Sequence, residues 1–222
     1  MSLAGKVIVV AGSGGPAGAA AVRRLAAAGA QVVAADVQPQ EWAEPNVAPA
    51  RIDLLDADAT RSWAAGLDQV DGLIHLVGGW RGGKTFADTD LADWAFLHDL
   101  LIRTLQHTTL AFHEHLRQSP AGRMAIVSQT GVRRPAQGLA AYTAAKAAAE
   151  TWTLALADSF AETGTAATVL VIKALLTDEM RERKPDAKFA GFTHVNTLAD
   201  TIAGLWERPA SDLNGTRLDL TA

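Results

Sequence analysis

The chain has 222 residues, 49% hydrophobic and 20% charged, enough for one sizeable core and short for two. A net charge of −4 offers no basic footprint for nucleic acid or an anionic membrane, and the absence of cysteine excludes disulfides, thiolate metal sites and thiol nucleophiles. The six histidines form no close ligand motif, so no metal centre is expected. Met1-Ser2-Leu3 leads straight into an apolar run without the charged flank or cleavage site of a secretion signal. No run approaches the roughly 18 apolar residues of a membrane span, so a cytoplasmic protein is expected.

Residues 6–11 are Lys6 followed by an unbroken apolar run, the pattern of a parallel strand buried on both faces. A turn follows that contains Gly12, Gly14, Gly15, Pro16, Ala17 and Gly18, then an alanine-rich helix to Ala28 closed by Gly29. Gln31–Asp36 is the next strand. Together they form a βαβ unit whose acid, Asp36, lies some two dozen residues beyond Gly12, the spacing of a dinucleotide fingerprint. The glycines permit close approach of a pyrophosphate, and the helix start offers N–H groups and a positive dipole end. Asp36 can accept from both ribose hydroxyls of an adenosine, which favours NAD over NADP. Pro16 is tolerated in a first helical turn but removes one N–H donor, and the turn also reads as Gly12-x-Gly14-x-x-Ala17.

Three prolines make residues 38–49 a loop, followed by a short strand at 50–53 and a helix at 57–67. Residues 72–79 form the fourth strand and its exit, with His75 read as a core histidine. The run Gly78-Gly79-Trp80-Arg81-Gly82-Gly83-Lys84 predicts a mobile loop at the strand's carboxyl end, where ligands bind in such sheets. Residues 90–117 are helical, as two helices or one with a break, with a stripe through Trp94, Leu97, Leu101, Leu105, Thr108 and Phe112. A fifth strand is expected at 122–127, a helix at 139–162 and a sixth strand at 166–171. The polar tract that follows reads as a lid over 173–196, and a helix at 198–207 and a strand at 217–220 finish the chain. No linker or repeat divides it, so one domain is expected.

On the helix at 139–162, Tyr142 and Lys146 stand four residues apart on one face. A free tyrosine, with a pKa of about 10, is a poor base at neutral pH. Lowering that value by about 3 units takes roughly 4 kcal/mol, which a nearby ammonium supplies only in a partly desolvated site. The small alanines around the pair would let a flat cofactor approach the backbone.

The glycine turn after the first strand, the acid ending the second and the Tyr142–Lys146 pair after the fifth resemble, in that order, the short-chain dehydrogenase/reductase family across nearly the whole chain. The resemblance implies a doubly wound α/β fold of Rossmann type, with about seven mostly parallel strands in the order 3-2-1-4-5-6-7. It implies hydride transfer with Tyr142 handling the proton and Lys146 lowering its pKa and holding the nicotinamide ribose. Cofactor contacts would come from Gly12, Gly14, Gly15, Ala17, Gly18, Asp36, Gly78, Lys146, Thr177 and Asp53, the last in the position that holds the adenine amino group. For the family's carbonyl-polarising serine, Ser128 is the natural candidate, spacing back from Tyr142 points to Gln129, and Thr130 is also open. The position of a proton-relay asparagine falls near Leu101, which relays nothing, and His75-Leu76-Val77-Gly78 replaces the usual Asn-Asn-Ala-Gly. Ile172-Lys173 stands where relatives show Pro-Gly. The Trp80 loop resembles that of the dihydropteridine reductases, with Trp80 either stacking on a planar substrate or anchoring the loop. The implied protein is an NADH-preferring homodimer or homotetramer that reduces a small conjugated C=N or C=O compound, pterin- or quinone-like. Two other readings stand beside it: an NAD-binding sensor without catalysis, and a methyltransferase.

Overall fold

The computed structural model describes residues 2–221. Its centre is a seven-stranded parallel sheet in the order β3-β2-β1-β4-β5-β6-β9, a doubly wound Rossmann-type arrangement. The strands are β1 (Val7–Ala11), β2 (Gln31–Asp36), β3 (Val47–Arg51), β4 (Gly72–His75), β5 (Arg123–Gln129), β6 (Ala166–Ile172) and β9 (Thr216–Asp219). The order is the expected one; the last strand is numbered nine because two short strands, β7 (Leu175–Leu176) and β8 (Thr193–His194), pair with each other outside the main sheet.

Both faces of the sheet are covered, which is why its central strands are apolar without alternation. On one face α1 (Pro16–Ala27) and α7 (Val195–Gly204) pack together over Ile8, Val10, Ile74 and Leu170. On the other, α2 (Ala57–Ala65), α4 (Thr104–Gln118) and α5 (Ala140–Asp158) cover Val9, Leu73, Met124 and Val169. Phe112 and Phe160 are fully buried there, with Trp63 edge-on to Phe112 at 5.2 Å between ring centroids.

Several boundaries differ from the sequence expectation, α5 ending at Asp158 and α7 running Val195–Gly204 among them, and three features have a clear physical reason. β3 starts at Val47 and takes Pro49 into the strand; β2 is its only neighbour, and an edge strand tolerates a missing N–H. The long helical tract is α3 (Leu91–His98) and α4 joined without a gap by a π-helical turn, Asp99–Arg103, where the Thr104 N–H donates to the Asp99 carbonyl five residues back. β5 continues two residues past the expected end, to Gln129, because its pairing with β6 extends to Gln129 opposite Ile172. Among the described residues, no helix is long and apolar enough to cross a membrane.

Candidate active site

At the carboxyl ends of the strands two adjoining cavities, of about 490 and 270 Å³, share Gly15, Leu76, Val77 and Gly78. The glycine turn lies between them. Gly12 has φ +82°, and a Cβ there would stand 2.7 Å from the Val77 nitrogen, so only glycine lets β1's exit pass β4's. A Cβ on Gly18 would overlap the Gly12 carbonyl, so the first turn of α1 lies directly on the loop that precedes it. Pro16 is the first residue of α1, and the helix start has no side-chain cap. Its free N–H groups and positive dipole end therefore face the larger cavity, which Gly15, Pro16, Ala17 and Gly18 line.

Asp36 ends β2 at the smaller cavity. Its carboxylate accepts from the Gly14 N–H at 2.9 Å and the Gln38 N–H at 3.1 Å, which holds the turn against the strand end. Asp53 lines the same cavity and accepts from the Leu55 N–H at 2.9 Å. No lysine or arginine is among the residues lining it. A cradle that a Cβ would fill, an uncapped helix start and an acid at the β2 end together fit a dinucleotide laid across the strand ends.

The larger cavity takes Tyr142 and Lys146 on one wall and Leu139, Trp80, Ile172 and Leu175 around the rest. Tyr142 packs against Leu97, Leu101, Ile102 and Ala145, so Leu101 of the π-helical turn is part of the surface behind the phenol. Burial pushes the Tyr142 hydroxyl up, because a phenolate is costly away from water. Lys146 is buried, and its Nζ donates to the Val127 carbonyl at 2.7 Å and lies 6.0 Å from the Tyr142 ring centre. Burial pulls Lys146 down to about 8, partly opposed by the Glu150 carboxylate one turn along α5. Both members of the pair are thus tuned by burial.

His75, at the end of β4, is buried between two hydroxyls: Thr104 Oγ1 is 3.2 Å from Nε2 and Thr108 Oγ1 3.2 Å from Nδ1. Burial, with Lys146 nearby, lowers it to about 3, so it is neutral at ordinary pH. It is a core histidine that also touches the cavity wall.

The three serine-position candidates separate clearly. The Ser128 hydroxyl donates to Glu150 Oε1 at 2.5 Å, and Glu150 is held from the far side by Arg217 of β9 at 2.8 Å. Its hydroxyl proton goes to Glu150, while Ser128 itself lines the larger cavity. Thr130 begins a 3₁₀ turn and is not among the residues lining the cavity, whereas Ser128 and Gln129 both are.

Of two further expectations, one is placed and one corrected. The Trp80 loop touches the turn that starts α5: the Gly83 N–H donates to the Gly138 carbonyl at 2.8 Å, and a Cβ on Gly82 would lie 2.8 Å from the Leu139 side chain. Its glycines serve backbone contact with the turn that starts α5, and Trp80 stands 58% exposed at the cavity rim. Thr177 caps α6 (Asp178–Arg183), accepting from the Met180 N–H at 3.2 Å, and is not among the residues lining the cavity. The segment that follows β6 contributes Lys173, Ala174 and Leu175 instead, with Lys173 Nζ tied to the Ala190 carbonyl at 2.8 Å. Sequence reasoning missed Glu150, Arg217, Thr104 and Thr108; only Glu150 carried a signal, lying two turns beyond Tyr142 on the same helical face.

A family model described as short chain dehydrogenase matches residues 6–188. The chain belongs to this family. Short-chain dehydrogenases are oxidoreductases that use nicotinamide cofactors. Dehydrogenase/reductase SDR family member 6 of Danio rerio is 27% identical over 198 residues, 85% of this chain and 80% of that one. Its Xenopus laevis counterpart is 26% identical over the same shares. Among solved structures, an NADPH-bound short chain oxidoreductase of Pseudomonas aeruginosa containing an atypical catalytic center superposes with a TM-score of 0.84 at 22% identity, over 98% of this chain and 96% of that one. The ligand-free aldohexose dehydrogenase of Thermoplasma acidophilum gives 0.85 at 17% identity, over 98% and 93%. At these identities the two structures speak for the fold.

Proposed function

We propose that this short-chain dehydrogenase is an NADH-preferring reductase of a small planar acceptor with a conjugated C=O or C=N bond, of the quinone or pterin kind. The observation that carries the reading is Tyr142 and Lys146 on the wall of a largely apolar cavity that opens onto the glycine turn. A bound dihydronicotinamide supplies the hydride that reaches the acceptor carbon. Tyr142 gives its proton to the acceptor heteroatom, and the Lys146 ammonium stabilises the phenolate left behind until solvent returns the proton. Trp80, Leu139 and Leu175 exclude water and offer flat apolar surface to a ring.

Two features support the acceptor class. The Ser128 hydroxyl is bound to Glu150, and a conjugated acceptor spreads incoming charge over its ring, so it depends less on a single hydroxyl than a plain ketone does. The Trp80 loop, resembling that of the dihydropteridine reductases, places an exposed indole at the rim. Preference for NADH rests on the Asp36 carboxylate, which would repel a 2′-phosphate, and on a surrounding cavity without basic side chains. Gly12, Gly18, Ala17 and Asp36 would hold the dinucleotide, with Asp53 at the adenine end. The test is NADH oxidation over a panel of small quinones, quinonoid dihydropterin and aliphatic ketones. Turnover with the conjugated acceptors and little with ketones is expected; a clear preference for aliphatic ketones refutes the reading.

A further inference from the structure

Ion pairs among the described residues are surface features, with one exception. Glu150 of α5 and Arg217 of β9 meet with 8% and 18% of their side chains exposed, whereas every other pair has at least one partner 44% or more exposed. Arg217 Nε stands 2.8 Å from Glu150 Oε2, and its Nη2 donates to Oε1 at 3.0 Å. Ser128 of β5 donates to the same Oε1. A buried pair of this kind seldom stabilises a fold more than apolar side chains of the same size would, so stability does not account for it.

What it serves lies one turn back along α5. Lys146 and Glu150 are four residues apart, and both are buried. Their partners on β5 are consecutive: Lys146 Nζ donates to the Val127 carbonyl, and Glu150 accepts from Ser128. Two adjacent cross-links thus fix α5 against the end of β5. They hold a carboxylate about one helical turn from the ammonium, where little water screens the attraction. Few other charges compete. Tyr142 lies a turn to the other side, His75 of β4 is neutral, and β6 has no ionisable side chain. Asp93, His98, Asp99 and Arg103, on α3 and the π-helical turn, pair with Arg81 or with one another at the surface. Lys173, just beyond β6, is tied to the Ala190 carbonyl. Glu150 is not among the residues lining either cavity, so it acts on the chemistry only through Lys146.

Resting on the reductase reading above, we propose that Glu150 is a positioning residue for catalysis: its carboxylate, fixed by Arg217 and Ser128, keeps the Lys146 side chain an ammonium inside the site. Burial alone favours a neutral amine, which cannot steady the phenolate that Tyr142 becomes on giving up its proton. The carboxylate opposes that loss, in line with Glu150 raising Lys146 against the pull of burial. Arg217 in turn compensates the carboxylate, so the buried charge is not left unpaired.

The test separates charge from shape. E150Q keeps the outline and removes the charge. E150D keeps the charge and shortens the reach to Arg217 and Ser128, and S128A removes one cross-link only. Protonation of Lys146 is followed directly, by the Cε resonance of isotope-labelled lysine from about pH 6 to about 11, identified by its absence from K146M. NADH oxidation with menadione is measured over the lower part of that range. The Lys146 midpoint should fall by about one pH unit or more in E150Q and stay within a few tenths in E150D and S128A. The pH above which turnover declines should move down with it in E150Q. An unpaired Arg217 destabilises E150Q, so E150Q/R217M, which carries neither charge, is titrated alongside and should shift the same way. A midpoint unmoved in both proteins that lack the carboxylate, or moved as far by E150D as by E150Q, overturns the proposal while leaving the reductase reading intact. A protein that titrates as expected but oxidises NADH with no acceptor of the panel overturns the reductase reading, and with it the catalytic role of Glu150.

Discussion

Replacing Lys146 by methionine should stabilise the protein while destroying its chemistry. The ammonium is 9% exposed and donates to the Val127 carbonyl at 2.7 Å. Burial takes it from 10.5 to about 8, even with Glu150 pulling the other way. At about 1.4 kcal/mol per pH unit, keeping this lysine charged in the folded state costs about 3 kcal/mol. Methionine fills similar space without charge and forfeits the bond to Val127, worth about 1 kcal/mol. The variant should therefore be more stable by about 2 kcal/mol at pH 7, a rise in Tm of about 4–8 °C for a chain of this size. The pH dependence follows from the lowered folded-state value. Between about 8 and 10.5 the unfolded chain still holds a proton that the folded lysine has released. The unaltered protein accordingly gains stability relative to the variant as pH rises through that window, and the difference closes. Urea unfolding of both proteins across this pH range measures it. A variant no more stable at pH 7, or a difference independent of pH, would refute the burial cost assigned to Lys146.

Tyr142→Phe keeps the ring packed against Leu97 and Leu101 and removes the hydroxyl, so NADH affinity should hold while turnover is abolished; undiminished turnover would make the residue structural. Asp36→Ala removes the carboxylate that lines the smaller cavity, so the ratio of NADPH to NADH dissociation constants, read by fluorescence titration, should shrink. Equal affinities in the unaltered protein would sink the assignment of Asp36. Leu110 on α4 is 68% exposed and Leu154 on α5 38%, so these helices present apolar surface, and we propose that they pair with a second copy in a dimer or tetramer. Light scattering at micromolar concentration should show at least a dimer, and a monomer would refute the pairing.

Much of the site was legible without coordinates because its spacing is local. Gly12 to Gly18 is a turn and the start of its helix, Asp36 is the end of the next strand, and Tyr142 and Lys146 share a helical face by a four-residue step. The strand order was also accessible, through the resemblance of those motifs to the short-chain dehydrogenase/reductase family. The surroundings of the serine-position candidates were not. They turn on whether β5 ends at residue 127 or 129, and pairing with β6, some forty residues later, sets that end. Strand alternation then separates their partners: Ser128 meets Glu150 of α5, and the Gln129 Oε1 accepts the Gly131 N–H. Thr104 and Thr108 meet His75 only because α4 packs on β4, and Arg217 meets Glu150 only because β9 joins the sheet beside β6. A one-dimensional pattern records what a helix or strand does to its own neighbours. Which side chain on one element finds its partner on another is decided by packing distances that no local period encodes.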